Sequence, residues 1–233
     1  MAGETIKTEA VCLAIRPWSK TSHVVAWLTP RGRVVTVVKG AVRPKSFFLG
    51  QYDLNYTCEI LYYARAKGEV HALREAVALD RRDFLRDDYR SLLLAEHFRQ
   101  LAGEYAPAGP EAADWHGLLT RSLDSLAAPA ATAADRLRAL LGYELDVLKL
   151  SGLSPVFTGS EGLLALRGER NLPVAPATAA CLADPANEKN LKILLDAARV
   201  IGVFYTLTLD AAPESRRSLL KIICNNEQGQ NEK

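Results

Sequence analysis

Long apolar runs are missing from this chain. No stretch reaches the roughly 18 consecutive apolar residues that a membrane-spanning helix needs. The opening MAGETIKTEA lacks the apolar core of a secretory signal, so we expect a cytoplasmic protein. Cysteine is scarce. The four are Cys12, Cys58, Cys181 and Cys224, and none sits in a C-x-x-C pair. That spacing suits neither a disulfide framework nor a zinc site. Cys12 and Cys58 fall inside apolar strand patterns, where a free cysteine acts as a small buried hydrophobe. Histidine is also scarce. His23, His71, His97 and His116 lie on separate predicted elements, with no H-x-x-x-H or H-E-x-x-H spacing, and no metal site is expected. Neither G-x-G-x-x-G nor G-x-x-x-x-G-K-[ST] occurs, which removes the common nucleotide cradles. Asp87 and Asp88 read as a solvated helix face. We therefore expect no enzyme and no cofactor.

What remains is an ordinary globular composition with an uneven charge. The chain has 233 residues, 48% hydrophobic and 24% charged, enough for one large domain or two small ones. Residues 1–79 hold 11 Lys and Arg against 6 Asp and Glu, and residues 80–233 hold 18 against 21. The positive charge thus concentrates in the first third, which is the footprint of a nucleic-acid binder.

That first third reads as strands. Thr8 to Arg16 alternates around Val11, Leu13 and Ile15, and Pro17 is expected to end it. Ser22 to Thr29 and Arg33 to Lys39 are β-branched runs joined by Pro30-Arg31-Gly32, a hairpin signal. On alternation Val24, Ala26 and Leu28 share the core face, and Trp27 opposes them. Leu54 to Tyr63 and Val70 to Ala78 complete five strands, which fit a small closed barrel of the OB type. The pattern changes at Asp80. Helices are predicted over 81–102, 111–127, 132–150, 187–209 and 213–223, with Thr132 and Asp135 spaced as a capping box. Residues 155–187 are Gly, Pro and Ala rich and irregular, apart from a short hairpin around Leu163 to Leu172. The fold class is α+β: an OB-fold barrel over 1–79, then a helical domain over 80–233.

Candidate function rests on cations. Arg16, Lys20, Arg31, Arg33, Lys39, Arg43 and Lys45 fall within 30 residues. The turn and the following loop are expected to gather several of them on one end or face, where they would hold phosphates. Arg65, Lys67, Arg74, Arg81 and Arg82 extend the trend. Trp18, Trp27 and Phe47 are candidate platforms for base stacking. Two other readings of the same barrel are a protein–protein adaptor with incidental basic charge and an RNA-binding module.

Specific residues add a family resemblance. Arg16-Pro17-Trp18-Ser19, Thr21-Ser22, Thr29, Gly32-Arg33-Val34, Lys39-Gly40-Ala41, Ser46 and Gly50 resemble the N-terminal domain of the bacterial recombination mediator RecO. His71 to Val77, Tyr143-Glu144-Leu145 with Leu148 and Gly152, and Ser215-Arg216 with Leu219-Leu220 resemble later segments of that family. The likeness is dense in the first 80 residues and thin after 155. Three departures stand out. Lys20 replaces an acid, and Glu214 replaces a lysine. Ser160 stands where many members place the first cysteine of a zinc module, so no zinc is expected.

The resemblance implies an N-terminal OB-fold and a helical C-terminal domain. It implies binding of single- and double-stranded DNA, annealing of complementary strands, and loading of RecA onto DNA coated by the single-stranded-DNA-binding protein SSB. It further implies RecR as a partner and a helical-domain site for the acidic SSB tail, for which Arg136 and Arg138 are the candidate cations. The location expected with it is cytoplasmic and nucleoid-associated.

Overall fold

Five strands close into a barrel in the order β1-β2-β3-β5-β4. They are β1 Thr5–Ser19, β2 Ser22–Thr29, β3 Gly32–Val38, β4 Thr57–Tyr63 and β5 Val70–Asp80. All neighbours are antiparallel except β3 and β5, which pair in parallel through Val35↔Val70 and Val37↔Ala72. This is the OB-type barrel read from the sequence, followed among the described residues by six helices: α1 Tyr89–Tyr105, α2 Ala112–Ser125, α3 Ala133–Leu150, α4 Pro176–Ala183, α5 Leu191–Thr208 and α6 Glu214–Cys224. The computed structural model describes residues 4–65, 70–127, 131–158, 163–165, 171–208 and 214–224.

The barrel interior is filled by Ala10, Cys12, Val25, Trp27, Val38, Cys58, Ile60, Tyr62, Leu73 and Ala76. Cys12 and Cys58 are buried free thiols there, as their strand patterns suggested. The strand reading needs three corrections. First, Pro17 does not end β1. The strand runs on to Ser19 with an irregularity between Pro17 and Ser19, a place where a missing N–H is tolerated. Second, β4 begins at Thr57 rather than Leu54, because Asn55 takes φ 67 and turns the chain. Third, β2 presents the other face to the core. Val25 and Trp27 point into the barrel, and the Trp27 indole donates to Thr36 Oγ1 at 2.9 Å.

The chain divides into two compact units. One comprises residues 1–87 with 98–124, and the other residues 88–97 with 125–233. In the first, residues 98–124 lie on the outer face of the barrel. The Arg99 guanidinium donates to Leu13 O, and Arg33 Nη1 donates to Gly103 O at 2.5 Å.

In the second unit, α3 packs against α5 and α6. The capping box at Thr132 and Asp135 forms as expected: Asp135 N donates to Thr132 Oγ1 at 3.2 Å and Thr132 N to Asp135 Oδ2 at 2.8 Å. The helix expected over 81–102 divides. A 3₁₀ turn at Asp83–Arg86 precedes α1. Asp88 is not a solvated helix face: its carboxylate accepts from the backbone of Arg90 and Ser91 at 3.1 and 3.2 Å and so starts the helix. The irregular stretch contains a three-stranded sheet, β6 Val156–Thr158, β7 Leu163–Ala165 and β8 Asn171–Pro173. Its β7–β8 pair, Leu163↔Pro173 and Leu164↔Leu172, is the hairpin read from the sequence.

Candidate nucleic-acid interface

The barrel topology sorts the cations of the first unit into separate groups. The β1–β2 turn, with Ser19↔Ser22, and the end of β3, with His23↔Val38, lie at one end of the β2–β3 ladder. The β2–β3 turn, with Thr29↔Gly32, lies at the other. The loop after β3 is tied to the first end: Gly40 N donates to Ser22 Oγ at 3.2 Å, and Val42 N to Thr21 O at 3.3 Å. Lys20, Lys39 and Arg43 therefore share that end, and Lys45 follows in the same loop; all four are exposed. Arg31 and Arg33 are exposed at the opposite end, so the two halves of the basic stretch do not form one cluster.

Apolar groups crowd the Lys20–Lys39–Arg43 end. Trp18 is 69% exposed and Phe47 96%, with Val42, Leu49 and Leu54 also exposed. Monomer surfaces seldom leave so many large apolar side chains together, and such patches mark contact sites. Beside them opens a cavity of about 390 Å³ walled by Ile15, Ala41, Val42, Phe48 and Leu49, with His23 and Tyr52 at its side. His23 Nδ1 and the Tyr52 hydroxyl are 2.8 Å apart. Burial, then the nearby Cys12 and Asp53, push the Tyr52 phenol up, so it stays protonated at neutral pH. Cations beside exposed aromatic rings are what a single strand needs, phosphate contacts together with stacking surfaces.

Two candidates are overturned by burial. Trp27 is 0% exposed inside the barrel and cannot receive a base. Arg82 is 3% exposed. Its guanidinium donates to Asn55 O at 2.7 Å, Thr57 Oγ1 at 2.9 Å and Asp124 Oδ1 at 2.8 Å. It clamps β4 and the preceding turn to α2 instead of facing a ligand.

The remaining candidates are scattered. Arg65, Arg74 and Arg81 are exposed, and Arg74 lies over the Tyr63 ring at 5.8 Å. Lys67 and Ser160 lie outside the described residues. In the second unit Arg136 pairs with Asp88 at 2.7 Å. Arg138 pairs with Asp135 at 2.5 Å and donates to Glu188 O at 2.6 Å.

A second concavity on the first unit was not anticipated. It measures about 730 Å³ and is lined by Leu13, Ala14, Arg16, Ala26, Arg33, Val35, His71, Arg99, Gln100, Gly103 and Ala108. Arg99 carried no sequence signal as a site residue, because it sits in an apolar helical stripe and reads as an ordinary helix cation. Among the described residues no cluster of three His, Cys, Asp or Glu could hold a metal ion, and no helix is long and apolar enough to cross a membrane. No protein-family model matches the chain, and no curated protein sequence matches it.

Proposed function

We propose that this protein is a non-enzymatic mediator of recombinational DNA repair of the RecO type. It binds single- and double-stranded DNA through the barrel end that carries Lys20, Lys39, Arg43 and Lys45, and it anneals complementary strands. The observation that carries the reading is the meeting of these exposed cations with exposed Trp18 and Phe47 on one end of an OB-type barrel. Loading of RecA onto SSB-coated DNA, in company with RecR and on the nucleoid, follows from the resemblance. The SSB tail is assigned to Arg136 and Arg138, where an acidic segment would compete with Asp88 and Asp135 for the guanidinium groups.

The test is a fluorescence titration of a labelled single strand at several salt concentrations, with the K39A/R43A/K45A variant beside the parent. Single strands lose about 0.7 of salt slope per phosphate contact, so the slope should fall by roughly 2. An unchanged affinity and slope would refute the barrel-end site. The exposed Val42, Phe47, Leu49 and Leu54 favour a second reading, a peptide adaptor. An annealing assay with two complementary oligonucleotides separates the two, because an adaptor does not accelerate pairing. Competition between DNA and RNA oligomers tests the RNA-binding version of the same barrel.

A further inference from the structure

The cavity beside Lys20, Lys39 and Arg43 is built as a pocket and not only as an apolar patch. Ile15 of β1 and His23 of β2 form one side, and the loop from Ala41 to Leu54 forms the rest. It shares no lining residue with the 730 Å³ concavity. Consecutive turns set the loop. Ser46 N donates to Arg43 O at 2.9 Å, Leu49 N to Ser46 O at 3.3 Å and Gln51 N to Phe48 O at 3.1 Å. Gln51 ties the loop back to the barrel: its backbone O accepts from Cys58 Sγ at 3.4 Å, and its side-chain Oε1 accepts from Ala78 N at 3.4 Å. A wall held in this way is pre-formed, which lowers the cost of ordering it around a ligand.

Tyr52 is the polar centre of the pocket. It is 9% exposed, and its ring stands edge-on to His23, Trp27 and Phe48 at 6.1, 5.9 and 6.5 Å between centroids. The Tyr52 hydroxyl and His23 Nδ1 share one hydrogen bond, and either can donate in it. When Tyr52 donates, its oxygen keeps a lone pair; when His23 donates, the Tyr52 O–H is released. The wall therefore offers an acceptor or a donor at one point. The one carboxylate of the lining, Asp53, is engaged elsewhere. Its Oδ1 accepts from Leu54 N at 2.8 Å, and its Oδ2 lies 3.5 Å from Arg86 Nη2.

We infer that this pocket takes one unpaired base turned out of a DNA strand, with the apolar walls on its faces, the Tyr52–His23 pair at its polar edge, and Lys20, Lys39 and Arg43 on the adjoining phosphates. The inference rests on the nucleic-acid reading above and names what that same barrel end recognises. Apolar faces with a hydrogen-bonding edge are how an extruded base is held. The volume of about 390 Å³ falls near the low end of the roughly 300–1,000 Å³ of small-ligand sites. Val42, Leu49 and Leu54 are exposed aliphatic groups that offer a base no aromatic platform; as pocket walls they have a use. Because the Tyr52–His23 pair can switch roles, the pocket accepts any base. A base of a single strand turns in directly, whereas a paired one must first leave its partner. Duplex is therefore held by the same cations with its bases paired.

The experiment compares the parent with A41L and Y52F, each checked for a parental circular-dichroism melt. Ala41 is 3% exposed and lines the cavity, so A41L fills it without touching a charge. Each protein is titrated with a single strand carrying a central 2-aminopurine, with a base-free oligomer of the same length, and with a hairpin duplex. In the parent, 2-aminopurine emission should rise on binding as the base leaves its stack, and the base-free oligomer should bind about tenfold more weakly. A41L should lose the emission rise and about tenfold in single-strand affinity, with the salt slope and the duplex affinity unchanged. Y52F should lose about threefold in single-strand affinity. A fall in emission on binding, the mark of stacking on an open ring, overturns the inference, as does an A41L that binds like the parent. Should A41L fail the melt, Y52F decides, and an unchanged single-strand affinity overturns the inference. If K39A/R43A/K45A weakens binding while A41L and Y52F do not, the barrel-end reading stands and the pocket falls. If the parent binds no nucleic acid, both fall.

Discussion

Replacing Glu144 should cost more stability than any surface change in the chain. Its carboxylate is 0% exposed, and Arg216 beside it is 4% exposed. Arg216 donates from Nε to Oε1 at 2.6 Å and from Nη2 to Oε2 at 2.9 Å, a two-pronged pair, and also from Nη2 to Ala198 O at 2.6 Å. His97 Nε2 lies 2.9 Å from Oε1, and His97 Nδ1 lies 3.1 Å from Ser215 Oγ. E144A would therefore strand a buried guanidinium and a buried imidazole together. Breaking one side of such a pair costs about 3–5 kcal/mol, against a total domain stability of about 5–15 kcal/mol. E144Q keeps the shape and some of the hydrogen bonding and should cost less, about 1.5–3 kcal/mol. Replacing both charges, as E144L/R216M, removes the stranded group and should recover most of the loss. The assay is urea unfolding followed by circular dichroism. A cost below about 1 kcal/mol for E144A would refute the reasoning.

The same pair sets an acid limit. Burial alone would raise the Glu144 carboxyl, but the charge of Arg216 and the hydrogen bonds from His97 and Arg216 outweigh it and leave it below its ordinary value. A carboxyl depressed by folding contributes stability that is present above its unfolded pKa and is lost as pH falls through the folded one. Parent protein should therefore lose stability on acidification below the ordinary carboxylate range, and E144L/R216M should lose less over that interval.

Three further outcomes follow from placements in the two units. R82A should lower stability by about 2–4 kcal/mol, since Asn55 O, Thr57 and Asp124 lose a shared donor; oligonucleotide affinity measured on the folded fraction should not change. A variant keeping Trp18 as its sole tryptophan should be readily quenched by acrylamide and respond to an oligonucleotide. One keeping only Trp27 should do neither, because the first ring is 69% exposed and the second 0%. T132A should cost about 1 kcal/mol by removing the cap of α3. Asp135, held at about 2 first by the hydrogen bonds of Thr132, should in T132A titrate nearer its ordinary value by NMR.

The barrel was legible because its strands are β-branched and its β2–β3 turn carries Pro30 and Gly32. The face of β2 was not. Val25 and Trp27 point inward, yet Leu28, on the opposite face, is also 0% exposed. A strand buried on both sides shows no contrast between faces, so alternation carries no sign. The start of α1 was missed for a related reason. Phe84 and Leu85 fit the helical period, but Asp88 offers its carboxylate to the next turn and resets the start. The cations were legible as a set and not as a site. Their sequence proximity hides the fact that a hairpin sends Arg31 and Lys39 to opposite ends. The 730 Å³ concavity was out of reach altogether, since it joins β1, β2 and β3 to a helix more than sixty residues later in the chain.

The residues that carry the family resemblance mostly hold geometry. Gly32 takes φ 123, where an added Cβ would meet Gly109 N at 2.9 Å, and Gly40 takes φ 69. Ser22 fixes the Lys39 loop by accepting from Gly40 N. Glu144 and Arg216, far apart in sequence, are the two halves of one buried pair. These positions would be needed by any protein with this barrel and this helical packing, whatever it bound. Of the groups proposed to touch DNA, Lys20, Arg43, Lys45 and Phe47 lie between the matching motifs, whereas Trp18 and Lys39 lie within them. The resemblance therefore bears on the fold and, through Trp18 and Lys39, on part of the proposed surface. The decisive measurements are those that vary Arg43, Lys45 or Phe47 while leaving Gly32, Ser22 and Glu144 intact: a loss of DNA binding with an unchanged melt would assign function to the surface that these buried and turn positions hold in place.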